Sequence, residues 1–359
     1  MLSHLFNRII DPHDRAASVA LLRGMLWLPS SLFGAAVGAR DRLYSNGLLR
    51  SEQLPVRVIS IGGITVGGAG KTPLVRHLAR WLVERGQRVV ILSRGYGRQG
   101  QGVAIVSDGS AVHLDWQSAG DEPFLLASTL PGVPVIVGAD RTAAGRVAIQ
   151  ELGATVLLLD DGFQHRRLAR DRDIVVLDST NPFGNGRLLP AGPLREPVTA
   201  LRRAHAIVLT RVDQGEALDP FHEQVQKLNP AACITELMYR PSGVRSLTDG
   251  TVQSIASLHG VPVLALSGIA NPRSFEQTLE DAGATLLHRI RFPDHHPFSQ
   301  HDLRSALRVA DQAGARWVVT TEKDAVRLPA GADLSKITVI EIEVKIVKGE
   351  EKSILDFGF

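Results

Sequence analysis

The sequence predicts an α/β protein. Its first part is a doubly wound, largely parallel sheet, and a smaller α/β domain follows after a short β linker. Two observations indicate this fold. Short apolar runs alternate with helix-length segments along most of the 359 residues. The first such run, residues 56–61, leads directly into the glycine-rich stretch TVGGAGKT at residues 65–72. A chain of this length also favours about two domains over one.

The strands are predicted from the apolar runs, several of which contain no polar residue, as is typical of strands covered on both faces. Helices are predicted at 71–85, ending at Gly86, and at 140–152, ending at Gly153, because glycine is favoured just after a helix end. The predicted strands are residues 56–61, 89–92, 133–137, 155–159, 174–177, 206–209, 261–266, 317–320 and 337–342.

The alternation weakens between about residues 232 and 257, where two turn-forming groups appear, PSG at 241–243 and TDG at 248–250. A linker of short strands is expected there. We therefore predict an apolar basic arm at 1–45, a phosphate-binding domain at 46–230, the β linker at 231–257 and a smaller α/β domain at 258–359.

The basic charge is confined to the N-terminal arm. Residues 1–50 contain six arginines against three aspartates, a net +3 that equals the net charge of the whole chain. The remainder is therefore balanced, and nothing in it favours a nucleic-acid partner. The single cysteine, Cys233, excludes an intramolecular disulfide and suits a reducing cytosol. The residues that set the charge of the arm are Arg8, Asp11, Asp14, Arg15, Arg23, Arg40, Asp41, Arg42 and Arg50.

The arm is also apolar. Its uncharged run from residue 24 to residue 39 is short for a membrane span, and Pro29 with Ser30 and Ser31 is expected to break it. No cleavage site typical of a signal peptide follows. The pattern favours a pair of helices lying on an anionic membrane surface, with arginines at the headgroups. The alternative is an arm packed on its own domain.

The stretch at 65–72 matches the phosphate-loop pattern G-x-x-x-x-G-K-[ST] at its last three positions. Gly67 and Gly68 give the backbone freedom to turn amide groups toward phosphates. Lys71 is expected to contact the β- and γ-phosphate oxygens, and Thr72 to place its hydroxyl on Mg²⁺. The order of strand, glycines, GKT and helix predicts a P-loop NTPase-like domain. The predicted nucleotide-binding residues are Thr65, Val66, Gly67, Gly68, Ala69, Gly70, Lys71 and Thr72.

A metal site is predicted at the end of another strand. The stretch TVLLLDDGFQHRR ends a buried run with Asp160 and Asp161. One of these carboxylates can reach Mg²⁺, while the other orients a group or accepts a proton. The sequence leaves open which aspartate has which role.

Three further clusters follow predicted strands, where an open α/β sheet places its ligands. Singly, a carboxylate at such a position is typical of a helix cap, but together they indicate a site. The clusters are SRGYGR with Arg94, Tyr96 and Arg98, AGDEPFLL with Asp121 and Glu122, and GADRTAAG with Asp140 and Arg141.

The stretch RFPDHHPF contains Asp294, His295 and His296. Zinc binding is disfavoured because adjacent histidine side chains diverge and no cysteine lies nearby. A structural histidine is one alternative. The other is a histidine oriented by a carboxylate for proton transfer.

Together, TVGGAGKTP, SRGYG, GDEP, GADR, DDGFQHR, LLPAGPLREP and FPDHH closely resemble tetraacyldisaccharide 4′-kinase, the lipid A biosynthesis kinase of Gram-negative bacteria. The match covers nearly the whole chain. The resemblance implies transfer of the γ-phosphoryl group of ATP, with Mg²⁺, to the 4′-hydroxyl of a tetraacylated glucosamine disaccharide 1-phosphate. It implies a peripheral enzyme on the cytoplasmic face of the inner membrane, and no obligate protein partner is inferred.

The resemblance also implies roles for individual residues. Lys71 and Thr72 become the nucleotide and metal contacts. Asp121 in GDEP and His295 in FPDHH become the proton-abstracting pair, with His296 as the alternative histidine, and Tyr96 is a further catalytic candidate. The implied substrate-binding residues are Arg94, Arg141, Gln164, His165, Arg195 and Glu196.

Two other functions are possible on the sequence. The stretches VLTRVD at 208–213 and TTEKD at 320–324 faintly resemble the guanine-reading [NT]-K-x-D motif, so a GTPase or a partition-type ATPase is one rival. A noncatalytic scaffold that uses ATP to position a membrane partner is the other. Selective GTP binding would favour the switch, and nucleotide binding without any phosphoryl product would favour the scaffold.

Overall fold

A mixed sheet of 13 strands runs through the computed structural model, which describes residues 8–10, 16–215 and 218–355. Asp11, Asp14 and Arg15 of the predicted basic arm lie outside the described residues. Along the sheet the strand order is β11-β10-β12-β13-β8-β7-β6-β1-β5-β2-β4-β3, and β9 pairs with β8 beside this path.

Seven strands form what we call the N-terminal unit, together with helices α3 to α7. All its pairings are parallel except that of β3 with β4, and β1 lies in the centre between β5 and β6. Most residues of these strands are buried on both faces, which is why they appear in the sequence as unbroken apolar runs. The strands are β1 (Arg57–Gly62), β2 (Val89–Ser93), β3 (Ala104–Ser107), β4 (Val135–Val137), β5 (Val156–Asp160), β6 (Arg172–Asp178) and β7 (Ala206–Thr210).

The remaining strands extend the same sheet. β10, β11 and β12, with helices α8 to α10, form what we call the C-terminal unit, in which all strand pairs are parallel. The antiparallel pair β8 and β13 joins the two units. The strands are β8 (Cys233–Ser246), β9 (Val252–Ser254), β10 (Pro262–Ser267), β11 (Thr285–Arg291), β12 (Trp317–Thr321) and β13 (Ile337–Lys348).

The helices flank the sheet, and their ends follow local sequence signals. Asp140 caps α6 by accepting hydrogen bonds from the amides of Thr142 and Ala143, and Gly153 ends it in a left-handed conformation. The helices are α1 (Ala17–Met25), α2 (Trp27–Ser45), α3 (Lys71–Val83), α4 (Trp116–Ala119), α5 (Asp121–Thr129), α6 (Arg141–Leu152), α7 (Asp219–Leu228), α8 (Pro272–Asp281), α9 (Gln300–Ala313), α10 (Glu322–Ala325) and α11 (Glu351–Leu355).

The β8 region corrects one prediction. Short strands were expected at 231–257, but β8 is a single strand of 14 residues. Its weak pattern has a physical reason, since its register against β13 shifts opposite Pro241 and Gly243. Proline cannot donate to a ladder and is tolerated at such irregularities. The division into four regions stays a prediction, and one sheet continues through the last three of them.

Two strands, β3 and β11, were not predicted. Both lie at edges of the sheet. Most residues of β11 are exposed, and it contains His288, Arg289 and Arg291. In β11 polar and charged side chains interrupt the apolar run, and charge on such an edge discourages pairing with other chains. β3 differs, since it is a short apolar run that the prediction left out.

Within residues 16–45 the arm forms two helices, α1 and α2. They meet at a bend of 43°, between Met25 and Trp27, so the break precedes Pro29 instead of falling on it. Pro29 lies in the first turn of α2, where proline needs no hydrogen-bond partner. Among the described residues, no single helix is long and apolar enough to cross a membrane, although the bent pair Ser18–Met25 and Trp27–Ser45 meets that test of length and composition together.

Candidate active site

The phosphate loop connects β1 to α3 and is held by hydrogen bonds to its carbonyl groups. Tyr239 donates to the carbonyl of Gly70 at 2.6 Å, and Thr210 donates to that of Ala69 at 3.0 Å. Gly70 has a φ of +82°, and a Cβ there would lie 2.1 Å from the Tyr239 hydroxyl oxygen. Only glycine fits this position. The sequence did not reveal the role of Tyr239, because β8 is distant from the loop along the chain.

Lys71 begins α3, and its Nζ lies 3.4 Å from Oδ1 of Asp161. Asp161 also pairs with Arg195, whose Nη1 lies 2.6 Å from Oδ2. Burial alone would raise the pKa of Asp161, but Lys71 and Arg195 lower it below its ordinary value. Asp161 is therefore an ionised carboxylate that already has two cationic partners.

Asp160 has the opposite surroundings. It is 2% exposed, and burial, with the nearby carboxylates of Glu122 and Asp161, raises its pKa to about 7. Ser93 donates a hydrogen bond to it at 3.3 Å. Within the part of the chain that the structure describes, no lysine or arginine forms an ion pair with Asp160. A cation at this position would relieve the cost of ionising it.

This arrangement fits Mg²⁺ bound together with nucleotide phosphates. Magnesium usually takes one or two carboxylates along with phosphate oxygens, and does not need a complete protein cage. Such a cage is absent here, since no group of three or more His, Cys, Asp or Glu residues in the described ranges could hold a metal. Thr72, in the first turn of α3, and Asp160 have the oxygen donors that suit the ion, whereas Asp161 is already paired.

Asp121 and His295 meet across the two units. Nδ1 of His295 lies 2.6 Å from Oδ2 of Asp121, and since a carboxylate only accepts, Nδ1 donates. Nε2, which can accept a proton, lies 3.7 Å from Oδ2 of Asp294. This hydrogen bond raises the pKa of His295, against the opposing effect of burial. Burial alone would raise the pKa of Asp121, but His295, Arg327 and Lys323 lower it. Nη1 of Arg327 lies 3.7 Å from Asp121.

The two neighbouring histidines differ in their contacts. His296 stacks on Phe292 with ring centroids 4.3 Å apart, and its Nε2 lies 3.1 Å from Oδ2 of Asp302, a capping residue of α9. These contacts belong within the C-terminal unit. His295 has a φ of +59°, which turns it away from that packing and toward Asp121. The geometry favours His295 as the functional histidine.

Tyr96 and Arg94 lie at the mouth of the site. Tyr96 is 79% exposed, and its ring centroid lies 6.5 Å from that of His295. Arg94 is exposed as well. Both follow β2 on the same glycine-containing loop. Their exposure leaves both side chains available to a bound substrate.

Other predicted substrate-binding residues are buried or already form hydrogen bonds within the protein. Arg141 is buried, donates to the carbonyl of Gly138 at 2.8 Å, and has a pKa that burial lowers to about 10. Burial and the charge of Arg141 lower the pKa of His165 to about 4, so His165 is neutral at neutral pH. Gln164 donates to the carbonyl of Gly63 at 2.9 Å. Gln164 and Arg195 therefore border the phosphate loop, while His165 lies in a desolvated position.

Glu196 lies away from the loop, beneath the arm. It is 2% exposed and pairs with Arg203 and with Arg40 of α2, the latter at 3.1 Å. Asp41 of α2 pairs with Arg166 and with Arg203. The structure thus uses Glu196 to hold α2 on the N-terminal unit.

The comparisons with known proteins agree on one family. The family model described as tetraacyldisaccharide-1-P 4′-kinase (LpxK) matches residues 22–357. A tetraacyldisaccharide 4′-kinase from Anaeromyxobacter sp. (strain Fw109-5) is 48% identical over 351 residues, which cover 96% of this chain and 93% of that protein. Another, from Geobacter sulfurreducens, is 41% identical over 326 residues, which cover 90% of each.

A solved structure agrees with the sequence relatives. The "apo" form of LpxK from Aquifex aeolicus in complex with ATP is 32% identical and has a TM-score of 0.75, covering 94% of this chain and 100% of that one. The resemblance inferred from the motifs and the predicted P-loop α/β fold are thereby confirmed. The chain belongs to the tetraacyldisaccharide-1-P 4′-kinase family.

Proposed function

We propose that this chain transfers the γ-phosphoryl group of ATP to the 4′-hydroxyl of a tetraacylated glucosamine disaccharide 1-phosphate, giving the 1,4′-bisphosphate of lipid A biosynthesis. One observation carries the proposal: in a member of this kinase family, the Asp121–His295 pair lies beside the phosphate loop, since Glu122, the neighbour of Asp121, accepts a hydrogen bond from Thr72 at 3.4 Å. The loop suits a nucleotide triphosphate, and the pair suits a hydroxyl that must lose a proton.

The residues divide the reaction between them. Lys71 would neutralise charge on the β- and γ-phosphates, and the amide groups at the start of α3 would hold the phosphate oxygens. Nε2 of His295 would accept the hydroxyl proton while Asp121 fixes the ring and stabilises the imidazolium that forms. Thr72 and Asp160 would hold Mg²⁺, and that ion, when bound, neutralises phosphate charge. Arg94, Tyr96, Arg141, Gln164 and Arg195 are the proposed acceptor contacts.

The switch alternative is disfavoured by contacts of the two motifs that resemble a guanine reader. Arg211 of VLTRVD pairs with Asp178 and donates to the carbonyl of Gly68 at 3.0 Å, so it supports the phosphate loop. In TTEKD, Asp324 is fully buried and pairs with Arg327. Neither Arg211 nor Asp324 is free to read a base.

We further propose that the arm attaches the enzyme peripherally to the cytoplasmic face of the inner membrane. Several large apolar side chains of α1 and α2 are mostly exposed, among them Leu21 and Met25 at 68% each. Exposed apolar side chains beside arginines suit an anionic lipid surface. The acceptor, with four acyl chains, would be found in that surface. Neither a nucleic-acid partner nor an obligate protein partner is part of the proposal. Among the described residues of the arm, the other exposed large apolar side chains are Trp27, Leu28, Leu32 and Leu43.

The test is direct. The full chain is incubated with γ-labelled ATP, Mg²⁺ and disaccharide 1-phosphate lipid, and the lipid fraction is analysed for labelled bisphosphate. A parallel reaction uses γ-labelled GTP, and another omits the lipid. We expect label in the lipid with ATP only. Selective GTP hydrolysis without a lipid product would support the switch instead, and ATP binding without any phosphoryl product would support the scaffold.

A further inference from the structure

The segment TTEKDAVR, residues 320–327, has no role in the reaction described so far. Hydrogen bonds and an ion pair around a buried aspartate hold this segment in place. Asp324 is fully buried, accepts hydrogen bonds from the Gly268 amide at 3.1 Å and the Thr321 hydroxyl at 2.8 Å, and pairs with Arg327. Thr321 also caps α10. These contacts fix the direction in which the neighbouring Lys323 leaves the C-terminal unit.

Lys323 reaches into the N-terminal unit. Its Nζ lies 2.6 Å from Oε1 of Glu122, and the same oxygen lies 3.4 Å from the hydroxyl of Thr72, which donates to it. The ammonium group is therefore within two hydrogen-bond lengths of the threonine of the phosphate loop. Glu322, the residue before it, pairs with Arg76 of α3 at 2.5 Å. Glu322 thus holds α10 against α3, the helix that begins at Lys71, and Lys323 holds it against α5.

The charge and exposure of Lys323 suit a ligand contact. Burial alone would lower the pKa of Lys323, but Glu122, Asp121 and Asp160 raise it above its ordinary value, so the group is an ammonium at neutral pH. The Lys323 and Glu122 side chains are 35% and 34% exposed. About a third of the Lys323 side chain is thus open to solvent, next to the phosphate loop that Glu122 contacts through Thr72.

We propose that Lys323 is a second catalytic lysine, supplied by the C-terminal unit, whose ammonium group contacts the γ-phosphoryl group during its transfer. The inference rests on the proposed kinase function. In the step, the acceptor oxygen forms a bond to the γ-phosphorus, and the bond from that phosphorus to the β,γ-bridging oxygen breaks with its electron pair moving to ADP. The hydroxyl proton goes to His295. Lys323 stays protonated and exchanges its contact with Glu122 for one with phosphoryl oxygens.

The same chemistry could bind a different phosphate, the 1-phosphate of the acceptor. The short path from Lys323 through Glu122 to Thr72 favours the nucleotide phosphate, because Thr72 belongs to the phosphate loop. An experiment without acceptor separates the two sources. ADP with aluminium fluoride and Mg²⁺ imitates the phosphoryl group in transfer and contains no lipid.

The test compares wild type, Lys323→Met and Lys323→Arg, with Lys336→Met as the matched control. Lys336 lies in the same unit and pairs with Asp311 at the surface. Binding of ADP alone and of ADP with aluminium fluoride is measured by calorimetry, and thermal unfolding checks the fold. For Lys323→Met we expect affinity for ADP with aluminium fluoride to fall by about a hundredfold, while affinity for ADP changes by less than about threefold. Lys323→Arg should be intermediate, and Lys336→Met should match wild type.

Two results would overturn the proposal. One is an equal loss of affinity for ADP with and without aluminium fluoride, which would indicate a structural role. The other is unchanged aluminium fluoride binding with a raised acceptor KM, which would assign Lys323 to the acceptor phosphate. Because the binding arm contains no acceptor, it remains informative even if wild type failed to phosphorylate the lipid, a failure that would instead reject the kinase proposal.

Discussion

At the scale of single residues, neighbours in the sequence have different surroundings in the site. Asp160 and Asp161 are adjacent, yet Asp161 pairs with Lys71 and Arg195 while Asp160 is buried with a raised pKa. The difference follows from the end of β5, because Asp160 is the last strand residue and Asp161 has a φ of +53°. The turn in the backbone directs the two carboxylates to different partners.

Replacing Lys71 should abolish transfer and leave the fold intact. The loss of its charge at the phosphates should cost roughly 3 kcal/mol or more of transition-state stabilisation, which is a hundredfold or greater loss in rate. Asp161 would keep Arg195 as its partner, so Lys71→Ala should unfold near the wild-type temperature. Lipid phosphorylation and thermal unfolding are measured side by side, with Lys336→Ala as the control. A folded variant with wild-type turnover would remove the phosphate-loop assignment.

Asp121 and His295 should behave as one unit. Asp121→Ala and His295→Ala should each lower kcat with little change in ATP affinity, because both act on the acceptor proton. Since each residue depends on the other, the loss in the double variant should be far smaller than the product of the single losses. His296→Ala is the control, and its effect should be on stability through Phe292 and Asp302. If the kcat losses of the two single variants multiply in the double variant, or if His296→Ala lowers kcat, Asp121 and His295 do not act as one unit.

The pair also predicts a pH dependence. His295 must be neutral to accept a proton, and the Asp121 hydrogen bond raises its pKa above 6.5, so kcat should rise with pH through that raised value. In Asp121→Asn the carboxylate is lost, the pKa of His295 falls, and the rising limb should move to lower pH while the maximal rate decreases. Rate profiles between about pH 5.5 and 9 test this. If kcat rises at the same pH in wild type and in Asp121→Asn, a group other than His295 sets the pH dependence.

The same contact contributes to stability within a defined pH range. Asp121 has a lowered pKa in the folded chain, so its contribution is present above its unfolded pKa and lost as pH falls through the lowered value. His295 has a raised pKa, so its contribution is present below its unfolded pKa and lost as pH rises through the raised value. The contact is therefore most stabilising between the unfolded pKa of Asp121 and the unfolded pKa of His295.

At the scale of elements, α2 is attached to the N-terminal unit by polar contacts. Ser30 donates to the carbonyl of Leu188 at 2.8 Å, and Arg40 and Asp41 form the ion pairs with Glu196, Arg166 and Arg203. Large apolar side chains of the same helix, among them Leu28 and Leu32, stay exposed. A helix that were only packed on its own domain would bury these side chains instead.

Deleting residues 1–40 should weaken membrane attachment and the use of lipid-embedded acceptor. The deletion removes the exposed apolar side chains and most of the arginines of the arm. Glu196 keeps Arg203 as a partner, so the catalytic units should still fold. Flotation with anionic liposomes measures attachment, and binding of the full chain should also decrease with salt. The prediction fails if the truncated chain floats as well as the full chain.

At the scale of the whole molecule, the site depends on how two units face each other. Asp121, Glu122 and Arg76 belong to the N-terminal unit, and their partners His295, Lys323 and Glu322 belong to the C-terminal unit. The chain also returns to the N-terminal unit at its end, since Ile354 and Leu355 of α11 lie in the cluster that contains Leu74 and Leu78 of α3. The two units therefore share ion pairs, and α11 adds apolar contacts that hold the end of the chain on the N-terminal unit.

Breaking the Arg76–Glu322 pair should loosen the two units. Both side chains are 11% exposed and form two hydrogen bonds, so Arg76→Ala leaves a poorly solvated carboxylate unpaired and should cost about 3 kcal/mol in the free energy of unfolding. Chemical denaturation measures this, and Arg85→Ala, which removes a cation–π contact with Trp81 and an exposed hydrogen bond to its carbonyl, is the control. Equal stability of the two variants would mean that the pair does not join the units.

The local parts of the fold were determined by the sequence itself. Apolar runs identified the buried strands, glycines identified helix ends, and the order of strand, glycines and GKT identified the loop, because each signal depends on residues close in the chain. The family motifs also indicated Asp121 and His295.

Tertiary structure alone decided the contacts between distant segments. These contacts join residues far apart in the chain. They are the hydrogen bond from Tyr239 to Gly70, the pairing of the edge strands β3 and β11, the ion pair of Arg40 with Glu196, and the ion pair of Lys323 with Glu122. A single sequence has no signal for such pairs, since the charge or ring of one residue does not specify which partner the packed sheet will bring to it.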